Sequence, residues 1–134
     1  RTYMKLTIPY YLHKVGAGFP SPATDYIEDD IDLNSHLIAN APATFIIRVQ
    51  GKSMTNVGIH DGDLLIVDKS LNPKNFSTVI ANINEELVVK TLVKNKGNNY
   101  LTSGSKNTSD RINLTDNPEI IIWGVVTYVI HKQQ

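Results

Sequence analysis

The stretch Thr78-Val-Ile-Ala-Asn-Ile-Asn-Glu-Glu-Leu-Val-Val-Lys-Thr-Leu-Val93 decides how this chain folds. Two runs rich in β-branched residues flank Asn84-Glu85, a polar pair suited to a tight turn. That spacing predicts an antiparallel hairpin. Thr44–Gln50, Leu64–Val67 and Ile120–Ile130 have the same character, and Asp61-Gly62, Asn72-Pro73 and Lys96-Gly97-Asn98 supply turn chemistry between such runs. The expected fold class is therefore mainly β, a compact and partly closed antiparallel domain with a flexible N-terminal arm and one short helix.

The arm is expected over residues 1–32. It carries an aromatic and apolar run, Ile8-Pro-Tyr-Tyr-Leu12, then Val15-Gly-Ala-Gly-Phe-Pro-Ser-Pro22, then an acidic patch, Glu28-Asp-Asp-Ile-Asp32. Two glycines and two prolines within Gly16–Pro22 disfavour regular helix and favour extended chain. A helix is predicted from Leu33 to about Ala39, capped by Asp32 or Asn34 and stopped by Pro42. Residues 33–134 form the second expected unit, the β domain.

With 134 residues the chain holds one sizeable core. Thirteen basic and thirteen acidic side chains balance, so total charge points to neither a nucleic-acid nor a membrane surface. The absence of cysteine excludes disulfides and thiol catalysis and fits a cytoplasmic setting. No run approaches the ~20 apolar residues of a membrane span. The sequons at Asn75, Asn107 and Asn113 come without a secretion signal and are read as chance.

One residue of the opening stretch fits poorly with its neighbours. Lys90 interrupts an apolar strand, sharing one face with Val88 and Leu92 by the two-residue alternation of a strand. Upstream, Val49-Gln-Gly-Lys-Ser-Met-Thr-Asn-Val-Gly-Ile-His-Asp-Gly-Asp-Leu-Leu-Ile-Val-Asp68 sets Ser53 just past a strand end, with Gly51 free to turn. A serine hydroxyl needs a base to become a nucleophile, and a lysine serves as one only as the neutral amine, which apolar surroundings favour. The backbone N–H of Ser53, with that of Lys52 as a second donor, suits an oxyanion hole. Taken singly, Lys90 reads equally as a cation snorkelling from a sheet edge, and Gly51-Lys-Ser53 as an ordinary turn.

Together the motifs are specific. Gly51-Lys-Ser-Met54, Gly58-Ile-His-Asp-Gly-Asp-Leu-Leu-Ile-Val-Asp68 and Val89-Lys90 closely resemble the LexA/UmuD family of self-cleaving serine–lysine peptidases. Ala17-Gly-Phe-Pro-Ser-Pro-Ala-Thr-Asp-Tyr26 and Ile31-Asp-Leu-Asn34 extend the resemblance to roughly residues 8–131, with an arm where a repressor carries a helix-turn-helix domain. The resemblance implies Ser53 as nucleophile, Lys90 as general base and Ala17-Gly18 as the self-cleavage bond. It implies a β-rich homodimer whose cleavage is promoted by the RecA–single-stranded DNA filament after DNA damage. The trimmed product is then expected to join a UmuC-type polymerase in error-prone translesion synthesis, with the sliding clamp as a further partner. No cofactor, membrane or sequence-specific DNA contact is expected. The chain departs from the family at Lys52, where an acidic residue is frequent, and at Leu101–Asp110, which replaces a Pro-x-Asn-Ser-like stretch.

Rival chemistries are weaker. A Ser53–His60–Asp61 or Ser53–His60–Asp63 triad would require His60 to reach back from a loop, and nothing fixes it there. His13, His36 and His131 show no metal-ligand spacing, so no metal is expected. Glu28–Asp32 lacks the alternating ligands and central glycine of a calcium loop. Trp123 and Tyr128 are expected in the core or at a two-fold contact.

Overall fold

The computed structural model describes residues 6–11, 27–104 and 111–133. The Ala17-Gly18 bond and most of the loop after Gly104 lie outside them. The chain is mainly β and antiparallel, as expected, and divides into units Arg1–Ala39 and Asn40–Gln134.

In the first unit, β1 (Thr7–Tyr11) pairs antiparallel with β2 (Ile27–Asp32), with Ile8 opposite Ile31. The helix α1 (Leu33–Leu37) follows directly. Asp32 caps it: one carboxylate oxygen accepts from the Asn34 amide at 3.2 Å, the other from the Ser35 hydroxyl at 3.0 Å. The helix is two residues shorter than predicted, and Pro42 lies in a separate 3-10 turn, Ala41–Ala43.

The second unit is a seven-stranded sheet built from β3 (Thr44–Arg48), β4 (Leu64–Asp68), β5 (Thr78–Ile83), β6 (Glu86–Asn95), β7 (Asn98–Thr102), β8 (Ile112–Asn113) and β9 (Ile121–Ile130). Its order is β3-β4-β9-β5-β6-β7-β8, so hydrogen bonding leaves two ends and does not close a barrel. The opening stretch forms the β5–β6 hairpin, with Ile83 opposite Glu86 and both turn residues, Asn84 and Glu85, at positive φ. Lys96-Gly97 makes the matching turn into β7.

Strand alternation gives the sheet two apolar faces. Val49, Met54, Ile59, Leu65, Val67 and Ile80 form one core, and Val79, Ala81, Leu92 and Leu101 the other. Burying such side chains is worth about 1.5–3 kcal/mol each. Gly124 serves close packing where β9 is held between β4 and β5: a Cβ there would stand 2.7 Å from Val67 Cγ1 and 3.2 Å from the Asp68 carbonyl oxygen. Trp123 and Tyr128, expected in the core or at a two-fold contact, are partly exposed, and Lys69 Nζ lies 4.9 Å from the centre of the Trp123 ring.

Candidate active site

The segment after β3 forms no regular strand, and its shape comes from bonds to the turn at residues 60–63. The Val49 amide donates to the Asp63 carbonyl and the Gly62 amide to the Val49 carbonyl, both at 2.8 Å. The Gly51 amide donates to Asp61 Oδ1 at 2.7 Å, and Gly51 turns the chain at a φ of 102°, a conformation that glycine adopts without strain. Beyond it, the Thr55 hydroxyl and amide both bond the Lys52 carbonyl, at 2.7 and 3.2 Å. Met54 is buried, and its carbonyl accepts from the Val57 and Ile59 amides. The exposed Ser53 is thus held between an anchored turn and a buried side chain. Among the described residues, no hydrogen bond occupies the Ser53 or Lys52 amide.

Lys90 comes from the middle of β6. Its neighbour across the sheet on one side is the fully buried Val79. On the other side the β6–β7 ladder pairs Thr91 with Thr102, so Ser103 stands opposite Lys90 one step further on. Lys90 Nζ donates to Ser103 Oγ at 3.0 Å. Val88 and Leu92 belong to the same apolar core as Val79, so the face around this half-buried amine is apolar, as its strand position predicts.

Ser53 and Lys90 line one cleft of about 400 Å³, with Gly51, Met54, Glu86 and Val88 among its walls. The amine's hydrogen bond goes to Ser103 rather than to Ser53. One wall has unused pairing capacity. Residues 86–90 of β6 pair with β5 on one side, whereas β7 pairs only with 91–95. Among the described residues no strand takes the other edge of 86–90, which therefore offers main-chain donors and acceptors to an extended peptide.

Ser103 was not singled out from sequence, because its meeting with Lys90 depends on the β6–β7 register. His60 and Asp63 turn away from the triad role. His60 bonds Asp63 through its amide, to Oδ2 at 2.8 Å, and its Nδ1 lies 3.8 Å from the same oxygen. Asp63 Oδ1 lies 2.6 Å from Nδ1 of His131, which the β4–β9 register sets opposite it. The His60 amide and the His131 ring hold the Asp63 carboxyl below its ordinary value.

Comparison with known proteins agrees with this architecture. Residues 9–127 match the family model described as Peptidase S24-like. The chain belongs to that family. It is 43% identical over 124 residues to Protein ImpA of Salmonella typhimurium, covering 92% of this chain and 83% of the relative. It is 39% identical over 122 residues to Protein MucA of Escherichia coli, covering 91% and 83%. A LexA repressor from Alcanivorax borkumensis is 42% identical over 83 residues, covering 62% of this chain and 40% of the repressor. Within the S24-like serine peptidases, the near-complete overlap with ImpA and MucA marks a UmuD-type protein. Among the described residues no helix is long and apolar enough to cross a membrane.

Proposed function

We propose that this S24-like protein is a serine–lysine endopeptidase that cuts its own arm between Ala17 and Gly18. The observation carrying this reading is that Ser53 and Lys90 line one cleft whose β6 wall has an open edge. An extended arm segment adds to that edge as a strand, and Ala17 and Gly18, both small, bring the scissile carbonyl close to Ser53.

Neutral Lys90 takes the Ser53 hydroxyl proton as Oγ attacks the Ala17 carbonyl carbon. The amides of Ser53 and Lys52 receive the oxyanion. The Lys90 ammonium then protonates the departing Gly18 nitrogen, and water hydrolyses the acyl-enzyme. Ser103 has a part in this sequence: a neutral amine has two N–H groups and one lone pair. Holding one N–H on Ser103 Oγ orients the lone pair for the Ser53 proton.

The kinship with ImpA, MucA and the LexA repressor supports a role in the SOS response. In that role a RecA–single-stranded DNA filament stimulates the cut in a cytoplasmic homodimer. The trimmed dimer then serves a UmuC-type polymerase, with the sliding clamp as a further partner. Intact-mass analysis after incubation at pH 10, beside Ser53→Ala and Lys90→Ala, tests the chemistry. A break after Ala17 in the wild type alone is expected. An intact wild-type chain, even with activated filament, would leave a binding protein with a vestigial site.

A further inference from the structure

We propose that His60, Asp63 and His131 bind a borderline divalent cation, for which zinc(II) is the best fit. His60 and Asp63 are three residues apart, and the fold brings His131 to them from 68 residues beyond Asp63. The β4–β9 ladder pairs Leu64 with Ile130, so the next residues outward, Asp63 and His131, face each other. The turn carrying the Asp63 amide to the His60 carbonyl, at 3.1 Å, delivers the second imidazole.

The donor set and its dimensions suit such an ion. Two imidazole nitrogens and a carboxylate oxygen select zinc and its neighbours in the first transition row over calcium and magnesium, which prefer oxygen alone. The three ligand atoms lie within 4.8 Å of one another. Bonds of about 2.0–2.1 Å in tetrahedral geometry need ligand atoms roughly 3.3 Å apart. His131 Nδ1 lies 2.6 Å from Asp63 Oδ1, and His60 Nδ1 lies 3.8 Å from the other carboxylate oxygen, Oδ2. Binding would require the half-exposed imidazoles to rotate until both nitrogens stand at that distance from one oxygen. The carboxylate needs no such adjustment: its side chain is only 2% exposed, and the His60 amide already orients it. The ring centres stand 5.1 Å apart and the planes are tilted by 46°. A water completes four-coordination. Arg48, whose Nη1 donates to the Gly62 carbonyl at 2.9 Å, and Lys132, next to His131 in the chain, are cations that oppose binding.

A bound ion would clamp the end of β9 to the turn at residues 60–63. That turn holds Val49 and Gly51 beneath the Ser53 turn, so the ion should stiffen the base of the cleft. The proposal does not depend on the peptidase reading.

Chelator-treated full-length protein is titrated with zinc(II) by calorimetry and with cobalt(II) by visible absorption. One ion per chain is expected, with a dissociation constant at or below about 10 µM and the visible bands of four-coordinate cobalt. His60→Gln and His131→Gln are each expected to weaken binding about tenfold or more. Both positions are half-exposed, so these variants should fold, and the thermal midpoint of each checks it. His36→Gln, outside the cluster, should bind as wild type does. Absence of saturable binding by the wild type overturns the proposal, and so does unchanged binding by the His60→Gln/His131→Gln double variant.

Discussion

Ser103 stands directly across from Lys90, one residue past the end of the β6–β7 ladder, and its hydroxyl accepts from Lys90 Nζ at 3.0 Å. As an acceptor it fixes the direction of the amine, which a general base needs.

If that orientation serves the proposed cut, Ser103→Ala slows self-cleavage about tenfold, the equivalent of one hydrogen bond. The loss should persist at pH 10, and Ser103→Thr should restore much of the rate. Intact-mass time courses at pH 7.5 and 10 measure this. A Ser103→Ala chain that cuts as fast as wild type would show that this bond does not orient the amine for the reaction.

Gly124 tests the packing of the sheet centre. Its missing Cβ leaves space for Val67, which is fully buried and cannot yield. Gly124→Ala is expected to lower stability by about 1–3 kcal/mol, read from the midpoint of urea unfolding at unchanged slope.

Thr91 moves stability the other way. Its hydroxyl is buried and has no hydrogen-bond partner among the described residues. Thr91→Val replaces it with a methyl group of similar shape and should raise stability by up to about 1 kcal/mol. Thermal unfolding would register an increase of roughly 3 °C. A decrease would reveal a partner for the hydroxyl outside the described residues.

Asp63 sets a dependence on acid. Its carboxyl is held low by the His60 amide and then by His131, so the stability it adds is complete above the ordinary aspartate value. That contribution fades as pH falls through the lowered value. In chelator-treated buffer, Asp63→Asn should be less stable than wild type at pH 7, and the gap should narrow below about pH 4. Denaturant midpoints at pH 7, 5 and 3 follow the gap, and a constant difference would assign the loss to packing alone.

The strongest strands were legible because β-branched residues dominate them: Thr78–Ile83, Glu86–Asn95 and Ile121–Ile130 carry their pattern in composition alone. Asn98–Thr102 is not legible as a strand, since Asn98 reads as turn with Lys96-Gly97 and only pairing with β6 makes it strand. Ile27–Asp32 was read as part of an extended arm, but pairing with β1 makes an acidic run into a strand. At the site, Ser53 and Lys90 stand out because each conflicts with its local pattern. Ser103 and the His60–Asp63–His131 cluster do not, because their contacts exist only through strand register.

Among the described residues, every one lining the Ser53–Lys90 cleft belongs to the unit Asn40–Gln134, whereas Ala17 and Gly18 belong to the other. Under the proposed chemistry, catalyst and substrate are thus separate parts that share a chain. A tethered substrate is consumed once, so such a molecule acts as a timer with a single event rather than as a catalyst that cycles. The tether replaces affinity with proximity, and the cleft needs only enough binding energy to orient what is already present.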